Sequence, residues 1–341
     1  MLAIFSSVEA GVIYAIMALG VYLSFRILDF PDLTVDGSFV TGASVAAIMI
    51  VNGQSPLVAT AAALLAGFAA GMITGLLHTK GKVNPLLSGI LMMIALYSIN
   101  LRIMGKSNVP LLTEETIMTK ITAFWQNSGL DGILNNLLTS AGMTEIPKTW
   151  GILITMLLLA VLIKVLIDAF LKTEIGLVLR ATGNNAAMVK SFSANTNTMK
   201  VLGLGISNGL VAFSGALVAQ YNGFSDAGMG IGMIVIGLAS VIIGEAVFGS
   251  KTIARATLAV IGGAVIYRIV VTLALQVQFL ETGDMKLITA VIVIFALIIP
   301  SISAAQKERS RKKKRLKELS FERADSFEKG GENIAAAKSD F

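Results

Sequence analysis

Long apolar segments, separated by short polar breaks, follow one another along the chain. Nine of them approach the length of about 20 apolar residues that a membrane-spanning helix needs. They cover residues 8–28, 38–51, 55–77, 86–104, 150–171, 200–221, 230–248, 254–278 and 286–304. The second is too short to cross a membrane alone. The pattern predicts an all-α fold: a polytopic membrane helix bundle of about nine membrane segments with interrupted helices.

Composition supports a membrane protein and excludes several kinds of chemistry. Hydrophobic residues make up 55% of the chain and charged residues 14%, whereas about 25% charged is usual in soluble domains. Cysteine is absent, which excludes disulfides, thiolate nucleophiles and cysteine-ligated metals. The single histidine, His78, lies near Lys80 and Lys82, and we interpret it as an interfacial polar residue rather than a metal ligand.

The distribution of lysine and arginine predicts the orientation of the chain. Basic residues are concentrated in alternate breaks and in the C-terminal tail, and the opposite loops hold only Lys106, Lys120 and Lys148. Because basic residues favour the cytoplasmic side, the N-terminus is expected outside and the C-terminus in the cytoplasm. The loop 105–149 is then external. Within it, residues 113–125 are predicted to form an amphipathic helix, capped by Thr113, that lies on the outer membrane interface or forms a ledge for an external partner.

An internal repeat is suggested by residues 11–53 and 203–249, each of which contains a helix, a break and a second helix. The first copy starts outside and the second inside, so the two have opposite topology. Inverted repeats with interrupted helices are typical of transporters, whose substrate path lies at the repeat interface. Chance similarity between two glycine-rich apolar stretches is the alternative.

Charged residues within the apolar part indicate candidate pathway positions. In the first break Pro31 ends a helix and Thr34 or Asp36 caps the next, while the carboxylates either line a pathway or lie in cytoplasmic solvent. Arg268 falls in the middle of an apolar segment, where a charge costs at least about 2.5–3.5 kcal/mol, so it should face the bundle as an ion pair or a substrate contact. The predicted pathway residues are Asp32, Thr34, Asp36, Asp226 and Arg268.

Two further patterns are interpreted as structural. Lys164 and Asp168, four residues apart near a helix end, should form a local ion pair. Gly67, Gly71 and Gly75 give one helix face nearly free of side chains, for packing within one subunit or, as the alternative, at a dimer interface.

The long break at 172–200 is polar and basic. Asn184 or Asn185 can cap a short helix whose Met188 and Phe192 form one apolar edge. Such a helix suits a groove on a soluble partner, and a solvated loop is the alternative. The tail 305–341 is expected to be a disordered, basic anchor that contacts anionic lipid rather than nucleic acid. Residues 1–304 then form the membrane domain.

Catalytic signatures are missing from the sequence. It contains no GxxxxGK[ST] phosphate loop, HExxH or GxSxG motif. We therefore predict no catalytic residue, metal site or cofactor site in this chain. If ATP hydrolysis drives its activity, that reaction must occur on another polypeptide.

Several stretches resemble a known family. The segments Glu174-Ile175-Gly176, Leu179-Arg180-Ala181 and Gly183-Asn184 are similar to the cytoplasmic coupling segment of ABC importer permeases of the branched-chain amino acid and ribose type. The stretches GVIYAIMALGVYLSF and IIGEAVFGS also resemble that family. Glu245 departs from it, since a second glycine is usual there. The acidic sequence at 29–32 is most similar to the subgroup of tryptophan and tyrosine importers.

The resemblance implies a permease subunit, not an enzyme, in the bacterial cell membrane. It would import a small solute of the amino-acid class, with an aromatic one suggested by the subgroup. ATP and magnesium would bind partner ATPase subunits, an external solute-binding protein would deliver the solute, and the permease would form a homodimer. The implied coupling residues are Glu174, Gly176, Arg180, Ala181, Gly183 and Asn184, joined by Met188 and Phe192 of the apolar edge. An ion-coupled secondary transporter is the alternative, because it too would explain inverted repeats and membrane carboxylates.

Overall fold

The computed structural model describes residues 2–129, 131, 132, 135, 147 and 149–275, together with the isolated positions 287, 290, 291, 294 and 298. The helix bundle belongs to the first of two units, residues 1–293 and 294–341. The predicted ninth segment, the basic tail and much of the external loop lie largely or wholly outside the described residues.

The described chain is almost entirely helical, and its elements follow the apolar segments. The helices are α1 (Leu2–Val21), extended by a π-helical turn (Tyr22–Ile27), α2 (Thr34–Val51), α3 (Pro56–Thr79), α4 (Pro85–Met104), α5 (Ile117–Ser128), α6 (Gly151–Lys172), α7 (Glu174–Asn184), α8 (Ala186–Ser191), α9 (Thr196–Asn222), α10 (Met233–Phe248) and α11 (Ile253–Leu275). Two short strands, β1 (Asn108–Pro110) and β2 (Phe224–Asp226), pair in antiparallel register.

The predicted class is confirmed. Within the described residues seven helices are long and apolar enough to cross a membrane, and α10 is a shorter apolar helix. The number nine is not established, because the last predicted segment falls outside that part of the chain. The amphipathic helix of the predicted external loop exists but begins later than expected. Its N-cap is Thr116, not Thr113, because Thr116 exchanges hydrogen bonds with Thr119 in a capping box.

Two helices are interrupted, as the repeat predicts. The chain leaves α1 through the π-helical turn, crosses the break 28–33 and enters α2. In the second copy it leaves α9, crosses the break 223–232 and enters α10. Both α2 and α10 start inside the bundle, where the first turns of the two helices lie against each other. The helix, break and helix order therefore occurs twice.

The two ends of the bundle carry different elements. The end with β1 and β2 is called the sheet end, and it also holds the start of α1, where Tyr221 donates to Glu9. The end with α7 and α8 is called the loop end, and it holds the close of α3, where Lys200 contacts His78. His78 thus contacts a helix partner, and the hypothesis of a polar residue at a helix end is consistent with this geometry.

The patterns interpreted as structural pack within the chain. A side chain at Gly67 would meet Ala212, one at Gly71 would meet the carbonyl of Leu204, and one at Gly75 would approach Val201 to 2.7 Å, so α3 lies directly against α9. The local ion pair also forms: Lys164 Nζ lies 2.6 Å from Asp168, and Thr257 donates to the same carboxylate.

The α3–α9 contact generates a stability prediction. Gly71→Ala should destabilise the detergent-solubilised protein by about 1–3 kcal/mol. The new methyl group would overlap the backbone carbonyl of Leu204, so α3 and α9 would have to move apart. Gly132→Ala is the matched control, since a Cβ there has nothing within 4 Å. The measurement is the thermal unfolding midpoint, and an unchanged midpoint for Gly71→Ala would contradict this packing.

Candidate coupling and translocation sites

The loop end carries the predicted coupling segment as two short helices. Thr173 caps α7 by accepting a hydrogen bond from the backbone N–H of Gly176. Glu174 occupies the first turn, where the helix dipole stabilises a negative charge. Asn185 caps α8 by accepting from Met188 N–H at 3.0 Å. Of the two expected caps, Asn185 is therefore the one used, while Asn184 is the last residue of α7.

Two glycines let α7 approach its neighbours closely. A side chain at Gly176 would collide with the carbonyl of Phe170, and one at Gly183 would collide with the carbonyl of Ile27, at the end of the π-helical turn. Leu179 is fully buried in the core between them. The segment is therefore packed against the membrane bundle at several points rather than hanging as a free loop.

The apolar edge of α8 faces outward. Met188 is 47% exposed and Phe192, one residue past the helix, is 76% exposed. Large apolar side chains this exposed, on a helix rimmed by polar residues, are typical of protein interaction sites.

A wide cavity of about 940 Å³ opens between α7, the end of α1 and the end of α10. Arg180, Ala181, Gly183 and Asn184 line it from α7. The planar guanidinium of Arg180 could hold the segment through hydrogen bonds, but no described residue accepts one from it. Its guanidinium instead lines the cavity, where it remains available to a group from outside the chain.

An ion pair spans this cavity. Arg26 Nε lies 3.0 Å from Glu245 Oε1 and joins the π-helical turn to the close of α10. The Arg26 side chain is 59% exposed, so the pair contributes at most about 1 kcal/mol. This ion pair also explains why a glutamate stands at 245, where the family usually has a glycine. A glycine has no side chain and could not join the two interrupted helices.

The first break contains a buried polar network. Asp32 is fully buried, with Oδ1 accepting from Thr34 N–H at 2.9 Å and Oδ2 accepting from the Asn208 side chain at 2.6 Å. Thr34, also fully buried, bonds to the Thr74 hydroxyl. Burial raises the pKa of the Asp32 carboxyl, and the hydrogen bonds from Thr34 and Asn208 act in the opposite direction. Both side chains are buried in this structure, so they do not lie in solvent, and their place on a translocation pathway stays a prediction.

Asp36 links the two half-helices. It lies in the first turn of α2, yet its carboxylate accepts from the N–H groups of Gly232 and Ile234, at 2.9 and 2.8 Å, at the start of α10. We expected Thr34 or Asp36 to cap α2 itself. Asp32 bonds the first amide of α2 instead, and Asp36 caps the other interrupted helix. Gly232 has φ of +88°, a conformation that favours glycine at this N-cap.

The remaining pathway candidates lie apart from this junction. Asp226 is half-buried in β2 at the sheet end and accepts from Gly228 N–H at 2.7 Å. Arg268 is half-buried on α11, with its guanidinium 4.7 Å from the Tyr14 ring centroid. The ion pair or carbonyl contact expected for Arg268 does not form with any residue in the described ranges. A cation–π contact is present instead.

The residues predicted for the site thus form separate groups. The coupling residues lie at the loop end. The half-helix junction contains Asp32, Thr34 and Asp36. Outside both groups, Asp226 lies in β2 and Arg268 lies on α11. Sequence reasoning missed Asn208 and Asn100, both almost completely buried in long apolar helices. The available signal was an amide inside an apolar segment, since such a group needs an internal partner.

The sequence matches a known family over most of its length. Residues 3–301 match the family described as the permease component of the branched-chain amino acid transport system. The chain therefore belongs to this family and is a membrane-spanning permease subunit of an ABC transporter. This confirms the resemblance noted in the sequence and the assignment to a multi-pass membrane protein.

Two individual relatives and one solved structure are also similar to this chain. A tyrosine transport system permease protein of Clostridioides difficile (strain R20291) is 43% identical over 312 residues, which cover 92% of this chain and 96% of that protein. The ribose import permease protein RbsC of Escherichia coli (strain K12) is 23% identical over 71% of this chain and 68% of its own length. A solved ABC transporter in an inward-facing conformation gives a TM-score of 0.47 at 15% identity, over 87% of this chain and 84% of that one.

The junction generates a prediction about Asp36. Asp36→Asn replaces a charged acceptor by an amide with one acceptor oxygen, so it should lose about 1.5–3 kcal/mol of stability. Amide hydrogen exchange should rise selectively in the first turn of α10, because that is where the lost hydrogen bonds were made. Asp226→Asn is the control, since that carboxylate bonds locally near an exposed turn. Unchanged exchange at residues 232–236 in Asp36→Asn would show that the contact does not hold α10.

Proposed function

We propose that this permease subunit belongs to an importer that carries an amino acid, an aromatic one, into the cell. ATP hydrolysis on separate ATPase subunits would drive transport, and an external solute-binding protein would supply the solute. Family membership and the 43% identity to a tyrosine transport system permease support this proposal. In the predicted orientation the loop end faces the cytoplasm and the sheet end faces outside.

The observation that carries the proposal is the contact of α7 with an interrupted helix. Gly183 approaches the carbonyl of Ile27, at the very end of the π-helical turn that precedes the first break. Arg26, one residue earlier, bonds to Glu245 near the close of α10. A displacement of α7 by a docked ATPase would therefore reach both interrupted helices within one or two side chains.

Within this proposal the apolar edge of α8 would enter a groove on the ATPase. Phe192 and Met188 offer the exposed area, and Arg180 offers five hydrogen-bond donors for carboxylates or carbonyls of the partner. Two copies of the permease would share the substrate path between them. The strand β2 with Asp226 would lie at the external mouth, near the docked binding protein.

We predict that Phe192→Ser disrupts ATPase docking. Because Phe192 is exposed, the exchange should leave folding unchanged while reducing copurification of the ATPase on the order of tenfold, as expected for an aromatic anchor.

Gly183→Val should abolish ATP-driven uptake in proteoliposomes through its clash with Ile27, while the protein still inserts and meets its binding protein. Gly132→Val, in open space, is the matched control.

Two outcomes would count against the proposal. Normal copurification with Phe192→Ser, together with normal uptake by Gly183→Val, would reduce the segment to a linker. Uptake that follows an ion gradient and ignores ATP with the ATPase present would favour the alternative of a secondary transporter.

A further inference from the structure

A second cavity, of about 380 Å³, lies beside the junction of the half-helices and is called the half-helix cavity. Its walls come from α2, from α4 and from the turn that precedes α10, and they include Asp36, Asn100, Ser98, Tyr97, Ile94 and Ile231. Its volume lies in the range of about 300–1,000 Å³ that is usual for small-molecule sites.

One lining group is an acceptor without a partner. Asn100 is 1% exposed and donates its side-chain N–H to the carbonyl of Gly37 at 3.2 Å. Its Oδ1 atom is buried and accepts no hydrogen bond from any residue that the structure describes. A buried polar atom left unpaired is destabilising, so an occupant that donates a hydrogen bond to it would be stabilised by that bond.

The charge of the cavity determines which group it would prefer. Asp36 contributes a carboxylate, and the described lining residues include no lysine, arginine or histidine. Each Asp36 oxygen accepts one N–H from α10, while a carboxylate has about four lone-pair sites in total, so it can accept further bonds. An anion and an unpaired acceptor together favour a cationic donor and disfavour a carboxylate.

The outer part of the cavity suits an apolar body. Tyr97, Ile94 and Ile231 are each at least half exposed and form its rim. An aromatic ring beside Tyr97 would gain stacking or edge contacts in addition to buried area. The lining residues thus include two with acceptor oxygens, Asp36 and Asn100, and three with apolar surface, a combination that suits a primary ammonium attached to an aromatic side chain.

We propose that the half-helix cavity binds the transported aromatic amino acid during translocation, with its ammonium group on Asn100 Oδ1 and the Asp36 carboxylate. Tyr97 and Ile94 contact its side chain. The identity of the ligand rests on the proposed function, whereas recognition of an ammonium group rests on the lining itself. Since Asp36 also caps α10, an ammonium that bonds to it is coupled directly to the junction.

The absence of cysteine from the chain allows a direct test. Ser98→Cys places one thiol in the lining with little change in size, and Ala95→Cys places one at an exposed position of the same helix outside the cavity. Each variant, in the full-length chain in membrane vesicles, is treated with uncharged N-ethylmaleimide. We expect L-tyrosine and tyramine to slow modification of Ser98→Cys several-fold and to leave Ala95→Cys unaffected.

The decisive comparison is between analogues that lack one charged group. Tyramine, which keeps the ammonium, should protect, and 3-(4-hydroxyphenyl)propionate, which keeps only the carboxylate, should not. Adding Asn100→Leu to Ser98→Cys should reduce protection by tyramine several-fold while the rate without ligand stays similar. Equal protection by the carboxylate analogue, no protection by tyramine, or a thiol that does not react at all would each overturn the proposal.

Failure of this site can be distinguished from failure of the proposed function. If tyrosine uptake is driven by ATP but tyramine gives no protection, the proposed binding site is wrong and the proposed function stands. Protection by tyramine with uptake driven by an ion gradient would retain the site and remove the ATP-driven mechanism.

Discussion

A helix that begins inside a membrane bundle exposes backbone N–H groups that neither lipid nor a preceding turn can satisfy. The described part of this protein contains two such helix starts, at α2 and α10, and each is bonded by a carboxylate from the same stretch of chain. Asp32 bonds the first amide of α2, and Asp36 bonds two amides of α10. Buried carboxylates are costly when unpaired, so helix starts and carboxylates depend on each other.

The surrounding packing serves this junction. Asn208 on α9 donates to the second oxygen of Asp32, and a side chain at Gly71 of α3 would come within 2.8 Å of the Asn208 Cβ atom. At the loop end, the same interrupted helices are joined again by Arg26 and Glu245. Two partly buried hydrogen bonds thus join the starts of α2 and α10, and a partly exposed ion pair joins the π-helical turn to α10 near the loop end. The weaker of the two connections is the one that lies near α7.

The sequence predicted the helix class and the order of the interrupted helices, because apolar periodicity and helix breakers are local properties. It also marked Asp32 and Asp36 as unusual, since charges in apolar stretches are rare. It could not predict which helix each carboxylate would cap, because α10 lies almost 200 residues from Asp36 and only tertiary packing brings them together. Glu245 and Asn208 were obscure for the same reason: their partners, Arg26 and Asp32, are distant in sequence.

The two copies of the repeat are unequal at the junction, and this inequality has a chemical consequence. The third residue of α2 is Asp36, whereas the third residue of α10 is Val235. A symmetric pair would have placed a further carboxylate at the start of α10, so the apolar Val235 avoids like-charge repulsion with Asp36 in a region of low dielectric constant. The Asp36 side chain lines the half-helix cavity together with Asn100, whose Oδ1 atom is unpaired among the described residues. A cationic group that entered the half-helix cavity would therefore meet the same carboxylate that caps α10.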